Sequence, residues 1–173
     1  SDPVDKVLKI LYLQDYRPSP VGTCHPIWAV SSTEAASYTS LGEMLPGGSI
    51  NEQDAASGTG STVYNESDKL YYTFFTGHKY ELNEGDSREM VMMATSPDFK
   101  TWTKSRTFYL RGADYGYEKN DFRDPFVFRG DDNLYHMLVS AKKGGKGVLA
   151  EWTSTDMKEW NHKGVFMTYM WDS

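Results

Sequence analysis

Glu151-Trp152-Thr153-Ser154-Thr155-Asp156-Met157-Lys158-Glu159-Trp160 decides the fold, because its pattern occurs three times in the chain. The earlier copies are Met93-Ala94-Thr95-Ser96-Pro97-Asp98-Phe99-Lys100-Thr101-Trp102 and Ala29-Val30-Ser31-Ser32-Thr33-Glu34-Ala35-Ala36-Ser37-Tyr38. Each has a serine, an acid two residues later and an aromatic six residues after the serine. The serines lie 64 and 58 positions apart (Ser32, Ser96, Ser154). An acid at that position can accept backbone N–H groups and close a tight turn, after which the aromatic returns to the core. A period of about 60 residues with several short strands in each fits the blades of a β-propeller. A single β-sandwich with look-alike hairpins is the alternative, and it leaves the matching strands before each copy unexplained.

The segments around the repeats agree. Leu8–Leu13, Trp28–Ser32, Leu41–Leu45, Ser61–Tyr64, Leu70–Thr76, Met90–Thr95, Phe126–Phe128, Leu134–Ala141 and Gly147–Ser154 are short apolar or alternating runs. They are separated by Gly, Asn, Asp and Pro, and no helical periodicity occurs, so antiparallel β-structure is expected throughout. Residues 54–60 and 78–88 read as loops. Gly144-Gly145-Lys146-Gly147 lacks the spacing of a phosphate loop and reads as a hairpin turn.

Asn120-Asp121-Phe122-Arg123-Asp124-Pro125-Phe126-Val127-Phe128 places an arginine and two acids before an apolar strand. Proline biases the residue before it toward extended geometry, so Asp124 is expected to be stiffly held. Arg123 beside it is expected to favour its ionised form. An ordinary strand-entry turn with a surface ion pair is the plain alternative.

Composition narrows the function classes. The 173 residues carry a net charge of -6, which gives no electrostatic case for nucleic acid or an anionic membrane. Aromatics reach 14 %, which suits a neutral polar ligand such as a sugar. The single cysteine, Cys24, excludes an intrachain disulfide, and no metal-ligand spacing occurs, so neither metal nor cofactor is expected. No run approaches the roughly 20 apolar residues of a membrane span. Compartment stays open.

Taken together, Tyr12-Leu13-Gln14, His25 to Tyr38, Asp54 to Ser61, Phe74-Phe75-Thr76-Gly77-His78 and Phe122-Arg123-Asp124-Pro125 resemble, in order, the motifs of glycoside hydrolase family 32, the invertase and fructanase group. Family 43, which shares the five-bladed propeller and acts on arabinans and xylans, is the nearest competitor. The resemblance implies an all-β chain holding about three antiparallel, four-stranded blades of a five-bladed β-propeller, roughly residues 1–60, 61–120 and 121–173. It implies a glycosidase acting on fructosyl or related furanosyl linkages of an oligo- or polysaccharide. Asp124 would hold sugar hydroxyls and stabilise the transition state. Arg123, Gln14, Ser61 and Trp28 would bind substrate, and His25 and His78 could reach sugar hydroxyls.

Two departures from the family pattern stand out. The nucleophile motif Asn-Asp-Pro-Asn-Gly has only Asp2-Pro3 as its counterpart, with Asp5 and Asp15 as weaker choices. An aspartate so near an end is held only if that end is docked. The Glu-Cys acid/base motif does not occur, although Glu118 and Asp121 flank the central stretch. The chain is therefore expected to be part of a larger enzyme or, alternatively, a non-catalytic sugar-binding propeller. An open stack of three blades exposes edges and apolar faces, so self-association or completion by further blades is expected.

Overall fold

The computed structural model describes residues 2–14 and 25–169. Asp15 and Cys24 lie outside the described residues. Among the described residues, eleven strands form three antiparallel sheets in chain order. The first contains β1 (Leu8–Leu13), β2 (Ile27–Ser32) and β3 (Thr39–Leu45). The second contains β4 (Ala56–Asn65), β5 (Leu70–His78), β6 (Glu89–Ser96) and β7 (Thr103–Leu110). The third contains β8 (Phe122–Arg129), β9 (Tyr135–Lys143), β10 (Lys146–Ser154) and β11 (Asn161–Thr168). Each strand pairs with its sequence neighbour, giving the meander of propeller blades. The sole helical turn among the described residues is a 3-10 turn at Gly112–Tyr115.

The repeated pattern forms the turns that lead into the outermost strands. Ser154 Oγ accepts N–H bonds from Asp156 at 3.2 Å and Met157 at 2.8 Å, and Ser32 Oγ accepts from Glu34 at 3.3 Å and Ala35 at 2.8 Å. Asp98 and Asp156 then accept the next two N–H groups. The N–H groups of Thr101 and then Lys100 hold the Asp98 carboxyl down at about 2. The third residue after each serine sits in the left-handed region: Ala35 at φ 61°, Phe99 at 63° and Met157 at 64°. The closing indoles reach back, Trp102 to Phe99 O and Trp160 to Met157 O, both at 3.1 Å.

Two strands escape sequence reading because they are outer edges. Thr103–Leu110 and Asn161–Thr168 bury little and carry no apolar alternation. Another difference lies at residues 54–60, where a loop is expected but β4 already begins at Ala56. The small residues there serve close packing: a Cβ on Gly60 would lie 1.9 Å from the carbonyl oxygen of Phe74. The first sheet has three strands among the described residues, where four-stranded blades are expected.

The largest core cluster joins the second and third sheets and includes Phe74, Val91, Phe122, Met137, Val139 and Trp152. Smaller clusters join the first sheet to the second through Ile27, Leu45, Phe75 and Met92, and through Ala29, Met44, Tyr71 and Phe99. The innermost strands β4 and β8 are stitched by one hydroxyl. Ser61 Oγ donates to Pro125 O at 3.0 Å and accepts from Val127 N–H at 2.8 Å.

On the third sheet, His136 lies between two carboxylates, with Nδ1 2.8 Å from Glu151 and Nε2 3.1 Å from Asp132. The bond to Glu151, then that to Asp132, raises the His136 pKa against the opposing effect of burial. The folded value lies above the unfolded one, so the imidazolium contributes stability that is complete below pH 6.5. That stability is lost as pH rises through the raised folded value. Charge-assisted bonds of this kind contribute roughly 1.5–3 kcal/mol when well protected. The melting temperature of the native chain should exceed that of His136→Gln by a few degrees at pH 6 and by little at pH 8.5. An equal gap at both pH values would show that the charge has no part.

Candidate active site

A cavity of about 280 Å³ opens where the three sheets meet. Leu13 at the end of β1 and His25 just before β2 reach it, with the starts of β4 and β6 and the end of β5 from the second sheet, and Arg123 and Asp124 from the third. Its polar lining includes Ser57, Thr76, His78, Glu89, Arg123 and Asp124.

Asp124 departs from the extended geometry expected before proline. Its φ is +58°, and the β8–β9 register shifts between Arg123 and Phe126. Asp124 and Pro125 thus form a bulge, which bends a strand and re-aims its side chains. A non-glycine residue in this region before proline is strained, and such strain persists where surrounding contacts over-determine it. Those contacts are visible. The Asp124 N–H donates to Thr76 Oγ1 at 2.9 Å, Thr76 Oγ1 donates to Thr59 O at 3.1 Å, and Ser61 clamps Pro125 and Val127.

The electrostatics also differ from expectation. Asp124 is exposed at the cavity mouth, yet partial desolvation by the cavity walls, aided by the charge of Glu89, raises its pKa, and Arg123 only partly offsets this. The guanidinium of Arg123 is committed elsewhere. Its Nε lies 2.8 Å from Glu89 and one terminal nitrogen 2.9 Å from Asp121. Glu89 is 6 % exposed, accepts the Phe122 N–H at 3.1 Å, and lies 3.5 Å from His78 Nδ1. Burial holds the His78 pKa below the usual histidine range, although Glu89 opposes this. Ser57 adds a hydroxyl that is 2 % exposed and without a hydrogen-bond partner among the described residues.

Of the residues singled out from sequence, this cavity gathers Asp124, Arg123, His25 and His78. Ser61 is spent on the β4–β8 link. Gln14 Oε1 accepts from Tyr12 OH at 3.1 Å, and Trp28 lies opposite Tyr12 on β2; neither lines this cavity. Glu118 pairs with Lys142 and the Gly145 N–H, outside the site. Asp121 only flanks the cavity, through Arg123.

Asp2 lies on a different cavity, with Lys9, Ser61 and Tyr71. Its terminus is docked: Asp2 is 7 % exposed and bonded to the Val4 N–H at 2.7 Å, Tyr71 OH at 2.8 Å and Lys9 Nζ at 2.8 Å. Burial opposes ionisation of Asp2, but the bonds from Lys9, Val4 and Tyr71 outweigh it and lower the pKa. Asp5 accepts the Val7 N–H and pairs with Lys9.

Glu89, Thr76 and Ser57 are the residues that sequence reasoning misses. The one available signal for Glu89 was a lone acid at the mouth of the apolar run Met90–Ala94.

Comparison with known proteins completes the picture. The family model for the glycosyl hydrolases family 32 N-terminal domain matches residues 11–172. A sucrose-6-phosphate hydrolase of Vibrio alginolyticus is 30% identical over 169 residues, covering 91% of this chain and 33% of that protein. The chain thus spans about a third of that relative's length (33%). The fructan 1-exohydrolase IIa of Cichorium intybus superposes with a TM-score of 0.76 at 15% identity, over 95% of this chain and 30% of that one. A family 32 β-fructofuranosidase variant of Bombyx mori, solved with sucrose, gives 0.75 at 18% identity, over 94% and 33%.

Proposed function

This chain belongs to glycosyl hydrolase family 32, and on that premise we propose that it is the N-terminal part of an enzyme that hydrolyses fructosyl linkages, with the Asp124 cavity as part of its sugar-binding site. The three sheets, at residues 8–45, 56–110 and 122–168, are then its first blades, taken as roughly 1–60, 61–120 and 121–173 of a five-bladed ring. The relatives' substrates support a saccharide, since the Bombyx mori structure holds sucrose.

The observation that carries the reading is the bulge at Asp124. Three sheets converge on one carboxylate whose backbone is held in a strained conformation by Thr76 and Ser61. A carboxylate at the cavity mouth whose backbone is fixed in this way can accept two sugar hydroxyls without reorganising as oxocarbenium charge develops. Arg123, anchored to Glu89 and Asp121, acts as a positioning residue that moderates the charge beside Asp124. Ser57 lies in the wall of the same cavity, its hydroxyl buried and without a partner among the described residues. A retaining glycosidase needs a nucleophile and an acid/base carboxyl about 5 Å apart, and Asp124 is neither of that pair. Asp2 lines a different cavity from Asp124 and its carboxyl is bonded to Val4, Tyr71 and Lys9, which counts against it as the nucleophile of this site.

The test is Asp124→Asn in the full-length protein, with fructose and sucrose affinity measured by calorimetry and sucrose hydrolysis by sugar release. Loss of charged hydrogen bonds worth roughly 1.5–3 kcal/mol predicts about 10- to 100-fold weaker sugar binding, with the melting temperature little changed. Unaltered affinity and turnover would remove Asp124 from the site.

A further inference from the structure

His78 closes β5 and Glu89 opens β6, and the two are cross-strand partners, so their side chains leave the same face of the sheet. His78 Nδ1 lies 3.5 Å from Glu89 Oε1. A ring nitrogen that faces a carboxylate carries the proton, because a lone pair there would repel the carboxylate oxygen. Burial lowers the His78 pKa against the opposing charge of Glu89, with Arg88 and Arg123 acting in the same direction as burial, so the ring is neutral at pH 7. A neutral imidazole with its proton on Nδ1 has one acceptor, the lone pair of Nε2. Nε2 has no hydrogen-bond partner among the described residues.

The ring is held in place. It meets Tyr80 edge-on, with centroids 5.2 Å apart and planes at 61°. Tyr80 lines the same cavity and stands on a loop fixed at its base. There the Lys79 N–H donates to Arg88 O at 2.8 Å and Lys79 Nζ pairs with Asp86 at 2.7 Å. Gln53 Nε2 donates to the carbonyls of Gly77 and Arg88 at 3.0 and 3.3 Å.

What the cavity offers a ligand is therefore uneven. Its donors are largely engaged: Thr76 Oγ1 donates to Thr59 O, and Arg123 donates to Glu89, Asp121 and the Asn120 carbonyl. Its acceptors are open. The Asp124 carboxylate, like His78 Nε2, takes no hydrogen bond from a described residue. Open acceptors from two different sheets, in one cavity, suit a ligand rich in O–H donors.

We propose that His78 is a substrate-binding residue of this cavity, accepting a hydrogen bond on Nε2 from one hydroxyl of the sugar, with Glu89 fixing the tautomer and Tyr80 the ring. This rests on the sugar site read at Asp124 and adds a second, neutral acceptor to it. Such a contact sets specificity. A sugar with fluorine in place of that hydroxyl has no proton to give, and the lone pair of Nε2 stays unmet.

The test has two readouts on the full-length protein. Nitrogen NMR of the native protein at neutral pH, without sugar, should show His78 with a protonated Nδ1 and a bare Nε2. A proton on Nε2, in the neutral ring or in an imidazolium, would overturn the proposal. The second readout is calorimetric affinity for fructose and for its singly fluorinated analogues, in the native protein and in His78→Ala. The native protein should bind the analogue fluorinated at the contacted position about 3- to 10-fold more weakly than fructose. In His78→Ala that one penalty should vanish while those at the other positions persist. The same pattern of penalties in both proteins would overturn the proposal. The NMR readout uses the native chain, so it decides even where His78→Ala folds poorly. Failure of the sugar site itself reads differently: fructose affinity then survives Asp124→Asn, whereas failure of this proposal alone leaves affinity dependent on Asp124.

Discussion

Replacing Glu89 by alanine should lower kcat/KM of the full-length protein for a fructoside by about a hundredfold or more and destabilise the fold by about 2–4 kcal/mol. One carboxylate has three tasks here. Its Oε2 takes the Phe122 N–H and the Arg123 guanidinium, and its Oε1 faces His78. Alanine leaves a buried N–H without an acceptor, which costs roughly 1–3 kcal/mol. The Arg123 bond adds less, because the Arg123 side chain is 42% exposed and screened. The catalytic loss has another origin. Freed from Glu89, Arg123 is no longer fixed beside Asp124, and small displacements of a positioned group cost large factors in rate. The Asp124 pKa should also fall, since Glu89 is one of the influences raising it. Glu89→Gln separates these effects. It keeps an acceptor for Phe122, so most stability returns, while Asp124 still titrates lower and the acid limb of the pH–rate profile moves to lower pH. An undiminished kcat/KM in Glu89→Ala would exclude Glu89 from the site.

Trp152→Ala is expected to be the most destabilising single change in the third sheet, at about 3–5 kcal/mol. The indole is fully buried and touches Tyr115, Tyr117, Phe122 and His162, with ring centroids 4.8–6.0 Å away. Few neighbours can move in to fill the void, because they come from separate elements: β8, β11 and the segment around Gly112–Tyr115. Trp152→Phe should cost much less, since it retains most contacts and removes an indole N–H that has no partner among the described residues. Urea unfolding measures both. A loss near 1 kcal/mol for Trp152→Ala would mean that the site collapses freely.

The fold was legible wherever a physical pattern repeats locally. The Ser-x-acid turns needed only ten residues each, and the structure forms all three with the same left-handed third residue. The outer strands β7 and β11 were not legible, because an exposed edge leaves no apolar alternation to read. At the site, Asp124 and Arg123 were found through a motif, but their electrostatics were misread. Adjacency in sequence suggested that Arg123 serves Asp124, whereas its guanidinium turns to Glu89, 34 positions earlier. Such a partner is chosen by sheet packing, and nothing in the local sequence names it. Ser61 looked like a ligand for the same reason: its two bonds to the third sheet cross more than sixty residues.

The meander has a consequence for synthesis on the ribosome. Every strand pairs with the one made just before or after it, so each sheet can close as soon as its own residues have emerged. The Ser61 hydroxyl must then wait, with β4 already folded, until Pro125 and Val127 arrive. Only when β8 docks in the correct register does that hydroxyl find both its acceptor and its donor. A register slip of one residue would reverse every side chain of β8 and leave a polar group stranded between the sheets. A single serine thus acts as a late proofreading contact on the order in which the sheets assemble.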